Sequence, residues 1–143
     1  MRTRSLSFLL YGFILMACHT NQPEAIIGRW QVDSVATFYN GFTYQSAARH
    51  WNETYQYDTS QVVVQKDEDF QRWGYRINQD TLQYFNAQQI PVSQFRILRL
   101  NNEQMVLRKE HAPLWKGPEQ TRYEIRYFTR LDTATSVSSR LLP

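Results

Sequence analysis

Cys18 is the one thiol of the chain. A thiol can pair with a second cysteine, bind a soft metal or carry a covalent adduct, and with no second cysteine a disulfide within the chain is excluded. Its position argues for the adduct. Cys18 directly follows Leu15-Met16-Ala17, at the end of an apolar run through Leu6, Phe8, Leu9, Leu10, Phe13 and Ile14 that opens with Arg2 and Arg4. A basic start, an apolar middle and a small residue before the cut have the layout of a secretory signal peptide. The run is too short for the ~20 apolar residues of a membrane-spanning helix.

Leu15-Met16-Ala17-Cys18 resembles the lipobox of bacterial lipoproteins, with Leu three positions and a small residue one position before the cysteine. The resemblance implies a diacylglycerol thioether on Cys18, removal of residues 1–17, and acylation of the new amino terminus by a fatty acid such as palmitate. One acyl chain binds a membrane marginally and two or more hold it stably. Residues 18–25 then form a lipidated tether. With His19 rather than Asp after the cysteine, the resemblance points to the periplasmic face of the outer membrane.

Other chemistry finds little material. His50 and His111, besides His19 of the tether, lack the carboxylate spacing of a metal site. Asp67-Glu68-Asp69 has neither the glycine nor the distant Glu of a calcium loop. No Gly-x-Ser-x-Gly elbow and no His-Glu-x-x-His motif is present. These features predict a non-enzymatic protein with no catalytic residues, no metal and no cofactor. Without residues 1–17, Lys plus Arg falls from 16 to 14 against 13 acidic residues, a net charge of about +1. That balance, with no block of like charge, argues against a nucleic-acid partner.

The elements that would position these groups follow a period of two. Trp30, Val32, Ser34, Ala36 and Phe38 share one face, and Trp73, Tyr75 and Ile77 alternate with Arg72, Gly74, Arg76 and Asn78. Leu82–Phe85, Val92–Leu100, Met105–Lys109 and Tyr123–Leu131 read as further strands, with turns at Asn78-Gln79-Asp80 and Asn101-Asn102-Glu103. Parity slips between Ile97 and Leu98, which a bulge would reconcile. Residues 40–58 lack clear alternation and stay open among strands, a loop and a short helix; residues 132–143 read as a flexible tail. Successive hairpins predict an all-β fold, an antiparallel up-and-down barrel or, alternatively, a β-sandwich.

Gly28-Arg29-Trp30 at the opening of the first strand resembles the Gly-x-Trp signature of lipocalins. Following a lipobox and a short tether, it makes residues 26–131 similar to the lipocalin-like domains of small bacterial lipoproteins. The resemblance implies that Gly28 and Trp30 are structural, with an arginine of the last strand, Arg126 or Arg130, packed across the indole. It also implies a cup for one small hydrophobic ligand. Phe38, Trp73, Tyr75, Tyr84, Phe95 and Tyr127 alternate into the presumed interior and are the candidate lining. Tyr44, Trp51, Tyr55, Tyr57 and Trp115 fall in segments that break the alternation and are candidates for the rim or for contact with an envelope protein partner. The expected function is a membrane-anchored carrier of a small hydrophobic ligand; the alternative is an accessory protein or inhibitor that docks through its aromatic rim without a pocket.

Overall fold

The computed structural model describes residues 22–47, 52–114 and 120–131. The expected signal segment, Cys18 and residues 132–143 lie outside them. Helix α1 (Gln22–Ile26) leads into β1 (Gly28–Tyr39), so the last part of the expected tether is helical. The remaining strands are β2 (Phe42–Ala47), β3 (Glu53–Tyr57), β4 (Gln61–Lys66), β5 (Asp69–Asn78), β6 (Thr81–Phe85), β7 (Pro91–Leu100), β8 (Gln104–Glu110) and β9 (Arg122–Arg130).

Every pairing is antiparallel, and β3 to β9 follow one another in order around the sheet. β1 closes it: one edge pairs with β9 along nearly its whole length, while the other pairs first with β3 and then with β2. The result is an all-β fold, a closed up-and-down barrel of eight strands with β2 as one extra strand. Closure leaves the eight barrel strands without an open edge, which is what a single sheet of this size otherwise exposes.

The described residues of the stretch left open by the sequence form two strands, β2 and β3. Asn40 and Gly41 both have positive φ, 44° and 92°, the pairing demanded by a tight type I′ turn, and they return the chain along β1 as β2. β3 then continues down the same edge of β1, Thr54 opposite Gln31 and Tyr57 opposite Gly28.

Register shifts occur in the β1–β9, β6–β7 and β7–β8 pairs, and those in β1 and β7 set which residues face inward. The β1–β9 register shifts between Val32 and Ser34, and this bulge reverses parity: Trp30 and Val32 face the core, then Val35 does, and Phe38 falls on the outer face against Tyr123, with the rings 4.6 Å apart. A second shift lies between Ile97 and Arg99, where the apolar parity of β7 slips. The core is continuous from Ile26, Trp30 and Val32 through Val62, Leu82, Ile97, Met105, Leu107 and Phe128. Fully burying one such aliphatic or aromatic side chain stabilises by about 1.5–3 kcal/mol.

Candidate functional site

The up-and-down order puts alternate turns at opposite ends of the barrel, and the two ends differ. At the end where β1 begins, Gly28 has φ +133°, a conformation that L side chains rarely adopt. It brings α1 back under the barrel. Trp30, fully buried, donates its indole N–H to the Ile26 carbonyl at 2.8 Å. The Arg130 guanidinium lies 4.4 Å from the Trp30 ring centre and donates to the Ile27 carbonyl at 2.7 Å and to the Ala25 carbonyl. A cation stacked on an indole while its N–H groups cap backbone carbonyls forms a plug. Of the two arginines weighed for this contact, Arg130 makes it.

Arg126 has a different position. It shares the inner face of β9 with Glu124, Phe128 and Arg130 and lies toward the other end. Its Nε donates to Glu124 Oε1 at 2.7 Å and its Nη1 to the Tyr55 hydroxyl at 2.9 Å, with Glu53 at 3.5 Å. Tyr55 donates to Glu53 Oε1 at 2.8 Å, and His111 Nε2 stands 3.2 Å from Glu124 Oε2. Deeper in, the Tyr57 and Tyr84 hydroxyls bond each other. Burial alone would raise the Glu124 carboxyl, but the Arg126 guanidinium, with His111, holds it below its ordinary value. Burial pushes the phenols of Tyr55, Tyr57 and Tyr84 up. Burial would lower Arg126, yet Tyr55, Glu124 and Glu53 around it raise it. The cluster is a fixed lattice of charge and hydroxyl in the barrel interior.

Above this lattice the barrel opens into a cup of about 310 Å³. Val64, Trp73, Tyr84 and Phe95 give it apolar wall; Glu53, Tyr55 and Arg126 form its polar side; Gln71, Val92, Ser93 and Lys109 stand nearer the mouth. Its size is at the small end of the range for ligand sites, which are concave and largely apolar with a few polar groups that fix orientation. A larger hollow, about 540 Å³, lies between Arg72, Gly74 and Arg76 on the outer face of β5 and the Phe85–Gln89 segment. It lies outside the barrel wall and has Arg76 already stacked on Phe85 and bonded to Gln89.

The candidate lining divides. Tyr84 and Phe95 are buried in the interior, and Trp73 and Tyr75 are half-buried against the core. Tyr75 spends its hydroxyl on the Asp58 carbonyl. Phe38 and Tyr127 are on the outer face: the β1 bulge turns Phe38 out, and the inner face of β9 is the one carrying Glu124, Arg126 and Arg130. The expected rim also divides. Tyr55 and Tyr57 are 4% and 1% exposed and belong to the interior, because β3 alternates Glu53, Tyr55 and Tyr57 inward. Tyr44 is 72% exposed on β2. Trp51 and Trp115 lie outside the described residues.

Sequence reasoning missed Glu53, Ser93 and Lys109 as cup residues. Glu53, Tyr55 and Tyr57 keep a period of two, but a carboxylate in the inner register disguises which face is the inner one. Among the described residues, no group of three or more His, Cys, Asp or Glu side chains could hold a metal ion, and no helix is long and apolar enough to cross a membrane. No family model matches the chain, and neither a curated protein nor a solved structure matches it.

Proposed function

We propose that this chain is a lipocalin-like lipoprotein, held at the periplasmic face of the outer membrane through Cys18, that binds or carries a small hydrophobic ligand. The observation that carries the reading is the contrast of ends: a barrel plugged by Trp30 and Arg130 where the chain enters, and a cup walled by Trp73, Tyr84 and Phe95 at the other end. The pattern Leu15-Met16-Ala17-Cys18 supports the anchor, and Gly28-Arg29-Trp30 supports the likeness to lipocalins. The role is one of binding and carriage, not catalysis.

Native mass spectrometry of the protein purified from its own envelope tests anchor and cargo together. The expected result is a triacylated Cys18 terminus and a mass increment that organic extraction removes. A delipidated sample whose tryptophan fluorescence is unchanged across a lipid panel would overturn the cup as a ligand site. A Cys18→Ala variant that still fractionates with membranes would overturn the anchor.

A second reading, docking of an envelope protein, draws on a different observation. Phe42, Tyr44, Phe70, Ile90, Val92 and Leu114 are all exposed, and all belong to turns or strand ends at the mouth. Such a ring is suited to a partner surface, since aromatics are enriched in interface cores. Co-purification of one protein in fixed stoichiometry, lost on Phe42→Ser with Tyr44→Ser, would favour this reading over carriage.

A further inference from the structure

We infer that the hollow of about 540 Å³ on the outer wall of the barrel is a second binding site, separate from the cup, and that it takes the phosphate ester of a polyol through Arg72 and Arg76. The inference goes beyond carriage in the barrel interior and does not depend on it.

The outer face of β5 builds the site. Arg72, Gly74 and Arg76 alternate outward along the strand, while Trp73, Tyr75 and Ile77 pack against the core. Gly74 pairs with Phe85 of β6, and a Cβ at Gly74 would meet nothing nearer than 3.9 Å, so the floor between the two arginines is open. Phe85 is only 6% exposed yet stands apart from the core cluster, with the Arg76 guanidinium 4.8 Å from its ring centre. That stack, and a bond from Arg76 Nη2 to Gln89 Oε1 at 3.2 Å, hold the guanidinium beside the hollow. Arg72 flanks Gly74 on the other side. Strand rise puts the two arginine α-carbons about 13 Å apart, a gap that two arginine side chains can close over the glycine.

Both charges lack a counter-charge. Among the described residues no carboxylate oxygen stands within 4.0 Å of either guanidinium, and no Asp or Glu lines the hollow. Asp58, which feels the charge of Arg72, spends Oδ1 on the amides of Ser60 and Gln61. One carboxylate against two guanidiniums leaves the hollow positive. Its neutral groups are biased the same way. Gln89 Oε1 accepts from Arg76, and Asn86 Oδ1 accepts from the amides of Gln88 and Ile90. Their acceptors are committed within the protein, and their NH₂ groups are left to donate.

A hollow lined with donors and positive charge selects an anionic oxygen acceptor. Guanidinium forks match the geometry of phosphate, and such charge-assisted bonds are roughly twice as strong as neutral ones. The volume is that of a small-molecule site and leaves room beside the phosphate, where Ser60, Gln61, Asn86 and Gln89 give a polar surface suited to the hydroxyls of a polyol.

The test is isothermal titration calorimetry of the full chain. Glucose 6-phosphate represents a free sugar ester and glycerophosphoglycerol the deacylated headgroup of a phospholipid, with glucose and glycerol as their uncharged controls. Phosphate ester is expected to bind about tenfold tighter than its control, and the tighter of the two esters identifies the source as soluble or membrane-borne. Arg72→Gln and Arg76→Gln should each weaken the ester about fivefold, and the two together should bring it to the level of the control. Gly74→Leu, which projects a side chain from the floor, should abolish binding, while Gly74→Ala, with its Cβ in ordinary contact at 3.9 Å, should keep it and serves as the folding control. Equal binding of ester and control overturns the site. So does an ester preference that survives the double arginine variant or Gly74→Leu.

Discussion

Arg126 and Arg130 share the inner face of β9, yet one belongs to a polar lattice under an open mouth and the other seals the barrel. The difference is in what they bond. Arg130 donates to the backbone carbonyls of Ala25 and Ile27 and lies on an indole, partners that carry no net charge and do not titrate. Arg126 bonds carboxylates and a phenol, all of which do. Bonds to backbone carbonyls keep their strength as pH changes, whereas bonds to titrating side chains make a floor whose strength follows protonation. The plugged end is the structural half of the molecule, and the cup is the half with chemistry to spare.

The largest expected effect breaks the plug. Trp30→Ala removes a fully buried indole, its bond to Ile26 and the ring beneath Arg130, and should cost about 3–5 kcal/mol. Urea unfolding followed by circular dichroism measures it. Trp73→Ala, at the half-buried wall of the cup, should cost less than half as much. If the two substitutions proved equally costly, the division between structural and functional ends would fail.

The next effect tests the lattice. Arg126→Met leaves Glu53 and Glu124 facing each other's cluster without their cation. Breaking a fully buried pair costs about 3–5 kcal/mol, and these side chains keep 10–15% of their surface, so about 2–3 kcal/mol is expected at neutral pH. The loss should depend on pH. Glu124 is held below its ordinary value in the fold, so its contribution is complete above the unfolded value of about 4.3 and fades as pH falls through the lower folded one. Wild type should therefore weaken in acid while Arg126→Met, relieved of a buried charge, converges on it. Urea midpoints that stay separated by the same amount from pH 7 to pH 3 would count against this account. No such convergence is expected for Arg130→Met.

How far this division was legible in the sequence follows the same physics. Alternation exposed β5 and β6, because Trp73, Tyr75, Leu82 and Tyr84 stand in the inner register between polar neighbours. Phe38 was misread because a one-residue bulge after Val32 is invisible where Ser34 and Ala36 fit either face. Tyr127 was misread for a stronger reason: β9 puts Glu124, Arg126 and Arg130 inside, so its polar face is the inner one. β3 was obscured likewise by Glu53, an interior carboxylate that reads as solvent-facing until its partner, 73 residues away, is known. Asn40-Gly41, the strongest short hairpin signal in the chain, was available for β2. Interior charge is what period-two reasoning cannot see, and here it marks the cup.

The phenols sharpen the comparison on the alkaline side. Burial raises Tyr55, Tyr57 and Tyr84. Each therefore contributes stability that is complete below the unfolded value near 10 and is lost as pH rises toward the folded one. Between the two values every such group should lower stability by about 1.4 kcal/mol per pH unit, and above the folded one the loss levels off. Tyr57→Phe should flatten that slope by one group, at the cost of about 1 kcal/mol near neutrality for the Tyr84 hydroxyl left without its partner. An unchanged alkaline slope in this variant would mean that Tyr57 ionises freely and that the interior is wet.

The smallest expected effect on stability concerns the rim. Phe42 and Tyr44 are 78% and 72% exposed on β2, a strand that among the described residues pairs only with β1. Their rings are not held in the core, so Phe42→Ser with Tyr44→Ser should change stability by no more than about 0.5 kcal/mol per site. Exposed apolar side chains gathered at one end lower solubility without supporting the fold, so their expected value is in contact. If the mouth admits ligand from a lipid surface, the double variant should leave the affinity for a soluble probe unaltered and slow its uptake from vesicles. If affinity fell with the rate unchanged, the rings would be part of the cup wall, and the boundary between rim and site would move outward to β2. A loss of 2 kcal/mol or more would instead make β2 part of the structural half.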